Sequence, residues 1–433
     1  MPDIAAPGLE RFRRLSKEGA WIVLGQAAAV LGSLAGVRLL TELLDPAAYG
    51  ELALGLTVAA LVNQTVLGPL ANGVTRFYAP AQERGDLGGY LRGALGLVWV
   101  ATAVVAVMVL FAGATLLVAG QKEWIGIASA ALVFAALSGY NTILNGIQNA
   151  ARQRAVVALH QGLESWARFL VAAGLLVWLG ANSTVAMTGY AIAVVLVLAS
   201  QFVFFRKTVP MGAAASASGN WQRQMWKYSW PISVFGAFTW VQQASDRWAL
   251  ELFATTQEVG TYSALYQLGY YPMAMVSTMA TQFLAPIFFQ RAGDASDERR
   301  NAEVKRLSWN LTGIALGATA TAFLLALAFH RLIFQVLVAR EYTSVSHLLP
   351  WMLLAGGIFA AGQTIALNLM STMRTQAMMT AKIVTALAGA TLNFAGAYWL
   401  GTTGIVIAGI LFSVVYFAWM AALSGRKPRA SLK

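Results

Sequence analysis

The sequence predicts an all-α polytopic membrane protein with about twelve spanning helices. They form two parallel six-helix bundles related by a pseudo-twofold axis along the membrane normal. Three observations predict this: the composition, the placement of basic residues and an internal duplication. Of the 433 residues, 58% are hydrophobic and 11% are charged, against about 25% charged in an ordinary soluble domain. So little charge cannot wet a whole protein surface, so lipid must solvate most of the exterior.

A spanning helix needs about 20 mostly apolar residues. Segments of that kind lie at 20–43, 52–75, 93–118, 124–145, 165–181, 184–205, 228–253, 259–289, 308–329, 348–370, 377–400 and 403–423. Only Gly180–Ser183 separates the fifth from the sixth. An even number of spans puts both termini on one side, and charge tells which. Of the 30 Lys and Arg residues, 25 fall on the side shared with the termini. Three (Lys122, Arg331, Arg340) fall opposite, and Arg38 and Arg247 fall within spans. By the positive-inside rule the termini are cytoplasmic. The chain then divides into a cytoplasmic arm (1–19), an N-terminal bundle (20–206), a cytoplasmic linker (207–227), a C-terminal bundle (228–424) and a cytoplasmic tail (425–433). The segments Leu9–Lys17, Ala150–His160 and Ser296–Arg306 mix basic and apolar residues at helical spacing. They read as helices lying on the membrane surface or as solvated loop helices.

The two halves resemble each other in order and register. Arg38-x-x-x-Glu42, then Tyr49-Gly50, matches Arg247-x-x-x-Glu251, then Gly260-x-Tyr262. Leu144-Asn145 matches Leu367-Asn368, and Trp178-Leu179-Gly180 matches Trp399-Leu400-Gly401. With six spans per repeat both halves enter from the same side, an arrangement suited to alternating access.

Several classes fall away. The net charge of +12 does not indicate nucleic acid, because the basic residues sit in short segments between apolar runs. There is no cysteine, hence no disulfide framework or thiolate metal site. His160, His330 and His347 lack metal-ligand spacing. The apolar run from Trp21 to Leu40 is too long for the core of a cleavable signal peptide. No P-loop or hydrolase motif is present and the loops are short, so no enzyme is expected. No cofactor is expected either, and energy would come from an ion gradient, of protons or sodium, or from a downhill lipid gradient.

Charges inside spans are costly and mark functional or structural sites. Arg38 and Glu42 share one helix face, as do Arg247 and Glu251. With Gln242, Gln243 and Asp246 they give span seven a polar wall that must avoid lipid. Two readings stay open: a substrate or gate contact, and a structural clasp or snorkelling arginine near the outer end of its span. Softer candidates for substrate contact are Asn63 and Gln64 in span two, Arg76 at its cytoplasmic end, and Tyr270 in span eight. Glu42, Asp246 and Glu251 are the titratable candidates for ion coupling or gating. Pro69 and Pro272 each remove a helix hydrogen bond and permit a kink.

With these residues placed, the chain resembles bacterial polysaccharide-biosynthesis flippases of the multidrug/oligosaccharidyl-lipid/polysaccharide exporter superfamily. The resemblance spans essentially the whole chain. It rests on Leu44-Asp45-Pro46-Ala47-Ala48-Tyr49-Gly50 after span one and on Asp246-Arg247 followed by Val259-Gly260-Thr261-Tyr262. Leu144-Asn145-Gly146-Ile147-Gln148 and Asn393 followed by Gly401-x-x-Gly404 add to it. It implies a MATE-like fold in the bacterial inner membrane, and transfer of an undecaprenyl-diphosphate-linked oligosaccharide from the cytoplasmic to the periplasmic leaflet. Such a protein serves O-antigen, lipopolysaccharide or exopolysaccharide synthesis. Its partners are the lipid-linked oligosaccharide, membrane lipids and other glycan-assembly proteins. Family members carry cations in a central cavity, and Arg38 and Arg247 match that role. Two alternatives stand beside this reading. A multidrug or small-molecule antiporter of the same fold would want a deeply buried acid in the first half. A glycan polymerase or ligase would want a large periplasmic loop.

Overall fold

A computed structural model of the chain describes residues 29–208, 220–293 and 297–425. The Leu9–Lys17 segment and the start of span one lie outside them. Among the described residues every regular element is helical. The helices are α1 (29–43), α2 (Pro46–Val62), α3 (Gly68–Glu83), α4 (Leu87–Val118), α5 (Glu123–Ala150), α6 (Arg154–Leu179) and α7 (Ser183–Thr208). Then follow α8 (Trp221–Phe253), α9 (Thr256–Leu268), α10 (Tyr270–Ala292), α11 (Glu298–Leu337), α12 (Leu349–Ser371) and α13 (Thr375–Gly425). Among the described residues, nine helical stretches are long and apolar enough to cross a membrane. Large apolar side chains stand bare along them, among them Leu110 (73% exposed), Phe111 (70%) and Trp178 (88%). Water would penalise such surfaces and lipid does not, so this is a multi-pass membrane protein. α8, polar at both ends, is not among the nine.

The chain packs as two compact units. One comprises Met1–Leu44, described from residue 29, and Leu54–Trp240; the other comprises Asp45–Ala53 and Val241–Lys433. The short segment 45–53, from the first half of the sequence, thus belongs with the second unit.

Span two runs from Pro46 through Glu83 as one long helix, of which Leu54 onward belongs to the first unit, and the kink expected at Pro69 takes the form of a π-turn at Asn63–Leu67. Proline has no N–H to offer the Thr65 carbonyl, and the Gly68 N–H reaches back five residues to the Asn63 carbonyl instead. The start of α8 is pinned by a buried polar contact. The Trp221 indole N–H donates to Asp86 at 2.7 Å, while Asp86 also caps α4 through the Gly89 N–H at 3.1 Å. Between α5 and α7, Gln201 donates to Asn145 at 2.6 Å and to Gln148 at 3.0 Å.

Two expectations of this region are corrected. Ala150–His160 is not a separate surface helix: α5 ends at Ala150, and α6 runs unbroken from Arg154 to Leu179. Arg168, counted with the cytoplasmic residues, stands 14 residues inside that helix, about 21 Å at 1.5 Å per residue. Similarly, Ser296–Arg306 is no separate element, since the residues from Glu298 form the first turns of the 40-residue α11.

In the second unit, span eight breaks at Gly269, between α9 and α10. The break falls three residues before Pro272, whose ring crowds the preceding turn. α13 is two helical arms. Gly401 has φ 55° and ψ −135°, and a Cβ placed on Gly396 would strike the Gly404 backbone. Residues eight apart touch only if the chain reverses, so the arms form a hairpin about Gly401. The helix break matches the division expected between 377–400 and 403–423.

The matched sequence pairs share some local geometry. Asp45 caps α2 through the Ala48 N–H at 2.8 Å, and Thr255 caps α9 through the Glu258 N–H at 3.2 Å. The two Trp-Leu-Gly sequences both end on a glycine of positive φ, 102° at Gly180 and 55° at Gly401. Asn145 is bonded to a residue 56 positions on, Gln201, and so is Asn368, to Ser424 at 3.4 Å.

Candidate functional site

The polar wall of α8 holds three consecutive buried polar residues. Ser245, Asp246 and Arg247 are all under 10% exposed. Helical geometry puts 242, 246 and 243, 247 on adjoining rows, and α9, α10 and α13 close around them. Arg247 does not pair with Glu251. Its Nη1 lies 3.2 and 3.4 Å from the two Asp246 oxygens and 3.0 Å from the Gln243 carbonyl. Its guanidinium stacks 4.3 Å from the centre of the Tyr266 ring and 5.9 Å from that of Tyr262. Asp246 receives a further bond from the Tyr262 hydroxyl at 2.6 Å. The buried cation is thus neutralised by its own neighbour and held by aromatic faces.

Behind this pair lies a cavity of about 120 Å³, lined by Gln242, Gln243, Asp246, Tyr262, Tyr266, Tyr270 and Asn393, with Phe359 and Phe412 on its apolar wall. Asn393 is fixed by its amide donating to Ser245 at 2.9 Å. Tyr266 and Tyr270 stack at 5.2 Å, and Tyr270 passes the aromatic contact on to Phe359 at 6.0 Å. A water occupies about 30 Å³ of liquid, and pockets for drug-sized ligands run from about 300 Å³. The cavity therefore suits a few waters or a small ion and not an oligosaccharide.

The predicted residues sort accordingly. Gln242, Gln243, Asp246 and Tyr270 meet around the cavity, and Arg247 packs beside it. Glu251 sits at the α8–α9 turn, where the Thr256 hydroxyl donates to it at 3.0 Å. Arg38, Glu42, Asn63, Gln64 and Arg76 belong to the other unit. There Arg38 and Glu42 form an ion pair with side chains 39% and 48% exposed. The Asn63 amide donates to the Ala59 carbonyl at 3.2 Å, Gln64 lies in the π-turn, and Arg76 is exposed on α3.

Other residues did not stand out in the sequence. Glu258 accepts from both the Thr402 N–H at 3.3 Å and its hydroxyl at 3.0 Å, capping the second arm of α13. Glu164 accepts from the buried Asn141 amide at 2.5 Å inside the first unit. The mixed charge of 150–168 masked it, because its depth follows only from where α6 begins.

The fold and site now admit comparison with known proteins. A family model described as polysaccharide biosynthesis protein matches residues 15–291, and the chain belongs to that family. Its fold is that of MATE transporters. It resembles an inward-facing multidrug resistance MATE family transporter of the MOP superfamily, with TM-score 0.70 and 13% identity over 92% of this chain and 94% of that one. The lipid II flippase MurJ in an inward closed conformation aligns with TM-score 0.72 and 11% identity, over 95% and 88%. A MOP superfamily transporter from Pyrococcus furiosus aligns with TM-score 0.60 and 14% identity, over 94% of each chain. A search of curated proteins returns no match.

Proposed function

We propose that this protein is a flippase that moves an undecaprenyl-diphosphate-linked oligosaccharide from the cytoplasmic to the periplasmic leaflet of the bacterial inner membrane. Membership of the polysaccharide biosynthesis family is the observation that carries the reading. The fold supports it, since a lipid II flippase and multidrug exporters share that fold. In this reading both termini are cytoplasmic, in line with the basic residues concentrated on one side. With α1, α8 and the two arms of α13 each crossing the bilayer, the spans number twelve, six to each half of the sequence.

The size and lining of the cavity support a division of roles in this reading. Asp246, with Gln242, Gln243 and Asn393, holds a small cation or proton that couples transport to an ion gradient. Arg247 clasps this centre and sets its charge. The glycan and diphosphate travel outside the 120 Å³ chamber, because no oligosaccharide fits it, and Arg38 and Arg76 are the basic groups offered to them in the first unit. The test is genetic. Deleting the gene removes the surface glycan and leaves its lipid-linked precursor in the cytoplasmic leaflet; the wild-type chain on a plasmid restores export. Unchanged surface glycan in the deletion strain, with no other flippase gene present, contradicts the proposal.

A further inference from the structure

The first unit contains a carboxylate that the function above does not use. Glu164 lies ten residues inside α6, about 15 Å from its start at 1.5 Å per residue. Asn141 lies nine residues before the end of α5, at about 14 Å by the same rise. The loop 151–153 joins those two helix ends, so both residues stand at one depth within helices long and apolar enough to span a membrane. Ionisable groups at such depth are rare, and they mark proton relays or substrate paths.

The contact is built asymmetrically. Asn141 is 1% exposed, and its Nδ2 donates to Glu164 Oε2 at 2.5 Å. Its Oδ1 is buried with no hydrogen-bond partner. An orphaned buried acceptor forfeits the hydrogen bond it would make with water. An ionised carboxylate can only accept, so it leaves Oδ1 unmatched. A protonated one presents an O–H beside that acceptor. Acid and amide then close a ring of two hydrogen bonds, N–H to the acid oxygen and O–H to Oδ1, and the buried Oδ1 is matched.

One turn along α6, Arg168 holds its Nε buried and without a partner. It is the i,i+4 neighbour of Glu164 and the natural mate of its ionised form. Other charges are distant or committed. His160 bonds the Val156 carbonyl at 2.8 Å and Ser200 at 3.2 Å. α5 carries charge only at Glu123, and α7 only at Arg206 and Lys207 in its last turn. On α1, which packs on α6 through Gly32 against Trp166 and Gly36 against Phe169, Arg38 and Glu42 pair with each other.

We propose that Glu164 is a proton-binding site of the first unit, a two-position switch: protonated, it bridges α6 to Asn141 of α5; ionised, it turns to Arg168 on its own helix. The proton comes from water and returns to water, with no other co-reactant. Its use in transport rests on the flippase reading; its existence does not.

The experiment is infrared difference spectroscopy of the purified full chain in lipid nanodiscs through a pH titration. The wild type should show a hydrogen-bonded carboxylic-acid carbonyl band that Glu164→Gln abolishes. Asn141→Leu should keep the band but move it to the higher frequency of an unbonded acid. Thermal unfolding checks that each variant is folded; if Glu164→Gln is not, Asn141→Leu and Arg168→Met are read on the same band. A band that survives Glu164→Gln at full intensity, or that neither Asn141→Leu nor Arg168→Met moves, overturns the proposal. The readout uses the protein alone, so it is independent of the identity of the cargo.

Discussion

The Tyr262 hydroxyl donates to Asp246 at 2.6 Å, from the second turn of α9 to the buried wall of α8. This bond does for Asp246 what Arg247 does from the other side, and together they let a carboxylate exist in the core of the second unit. Removing the hydroxyl with Tyr262→Phe should cost about 1.5–3 kcal/mol, the value of a hydrogen bond to a charged group. Asp246→Ala leaves Arg247 buried and uncompensated and should cost about 3–5 kcal/mol. The double variant Asp246→Ala with Arg247→Ala should cost less than the sum of the two singles. Thermal unfolding in detergent measures all four proteins, and additive losses would show that the pair is not coupled.

Arg38 and Arg247 occupy matching places in the duplicated sequence but differ in environment. Arg38 and its partner Glu42 are 39% and 48% exposed, and a pair of that kind contributes only about 0.3–0.5 kcal/mol. Arg38→Ala should therefore leave the unfolding temperature nearly unchanged, while Arg247→Ala lowers it clearly. If Arg38→Ala nonetheless abolishes glycan export at normal protein level, Arg38 serves the substrate and not the fold. Export persisting with alanine at both positions removes the substrate role from both.

Gly50 of α2 and Gly260 of α9 face each other within the second unit. A Cβ on Gly50 would strike the Thr256 carbonyl, and one on Gly260 would strike that of Pro46. The obstacle is backbone in both cases, which cannot swing aside as a side chain would. Gly50→Ala and Gly260→Ala should each cost about 1–3 kcal/mol, read as loss of folded protein or as a lower unfolding temperature. A neutral alanine at both positions would mean that the two helices do not approach so closely.

Topology can be read with single cysteines, because the natural chain contains none. Gln121 and Asn182 are exposed in the loops after α4 and α6, and cysteine at either should react with an impermeant thiol reagent added to intact cells. Cysteine at Glu83 or Arg299, also exposed, should react only after the membrane is opened. The reverse pattern would invert the orientation deduced from charge.

Much of this was legible in the sequence because it depends on composition and local order. Lipid as solvent followed from scarce charge, and the division at Gly401 from two apolar runs that part between 400 and 403. The π-turn before Pro69 and the break before Pro272 were foreseeable as kinks, since proline withholds an N–H wherever it stands. The pairing at the site was not. A helix sets residues i and i+4 side by side, so Arg247 pointed toward Glu251. The structure gives it instead to adjacent Asp246, because Tyr262 and Tyr266 arrive from α9 to fix both, and Glu251 is drawn off by Thr256. Arg168 was counted with the cytoplasmic residues, and Glu164 drew no notice, for a related reason: a residue's place along a helix depends on where the helix begins, and the stretch 150–168 is too polar for hydropathy to find that point.

Reconstituted transport tests the central claim most directly. The purified chain is placed in liposomes carrying a fluorescent undecaprenyl-diphosphate oligosaccharide in both leaflets, and an impermeant glycosidase is added outside. The account predicts that digestion runs past the outer-leaflet half to near completion with the protein present. It also predicts that the rate depends on an imposed proton or sodium gradient. Digestion that stops at half with folded protein in the membrane, under every gradient imposed, would contradict it.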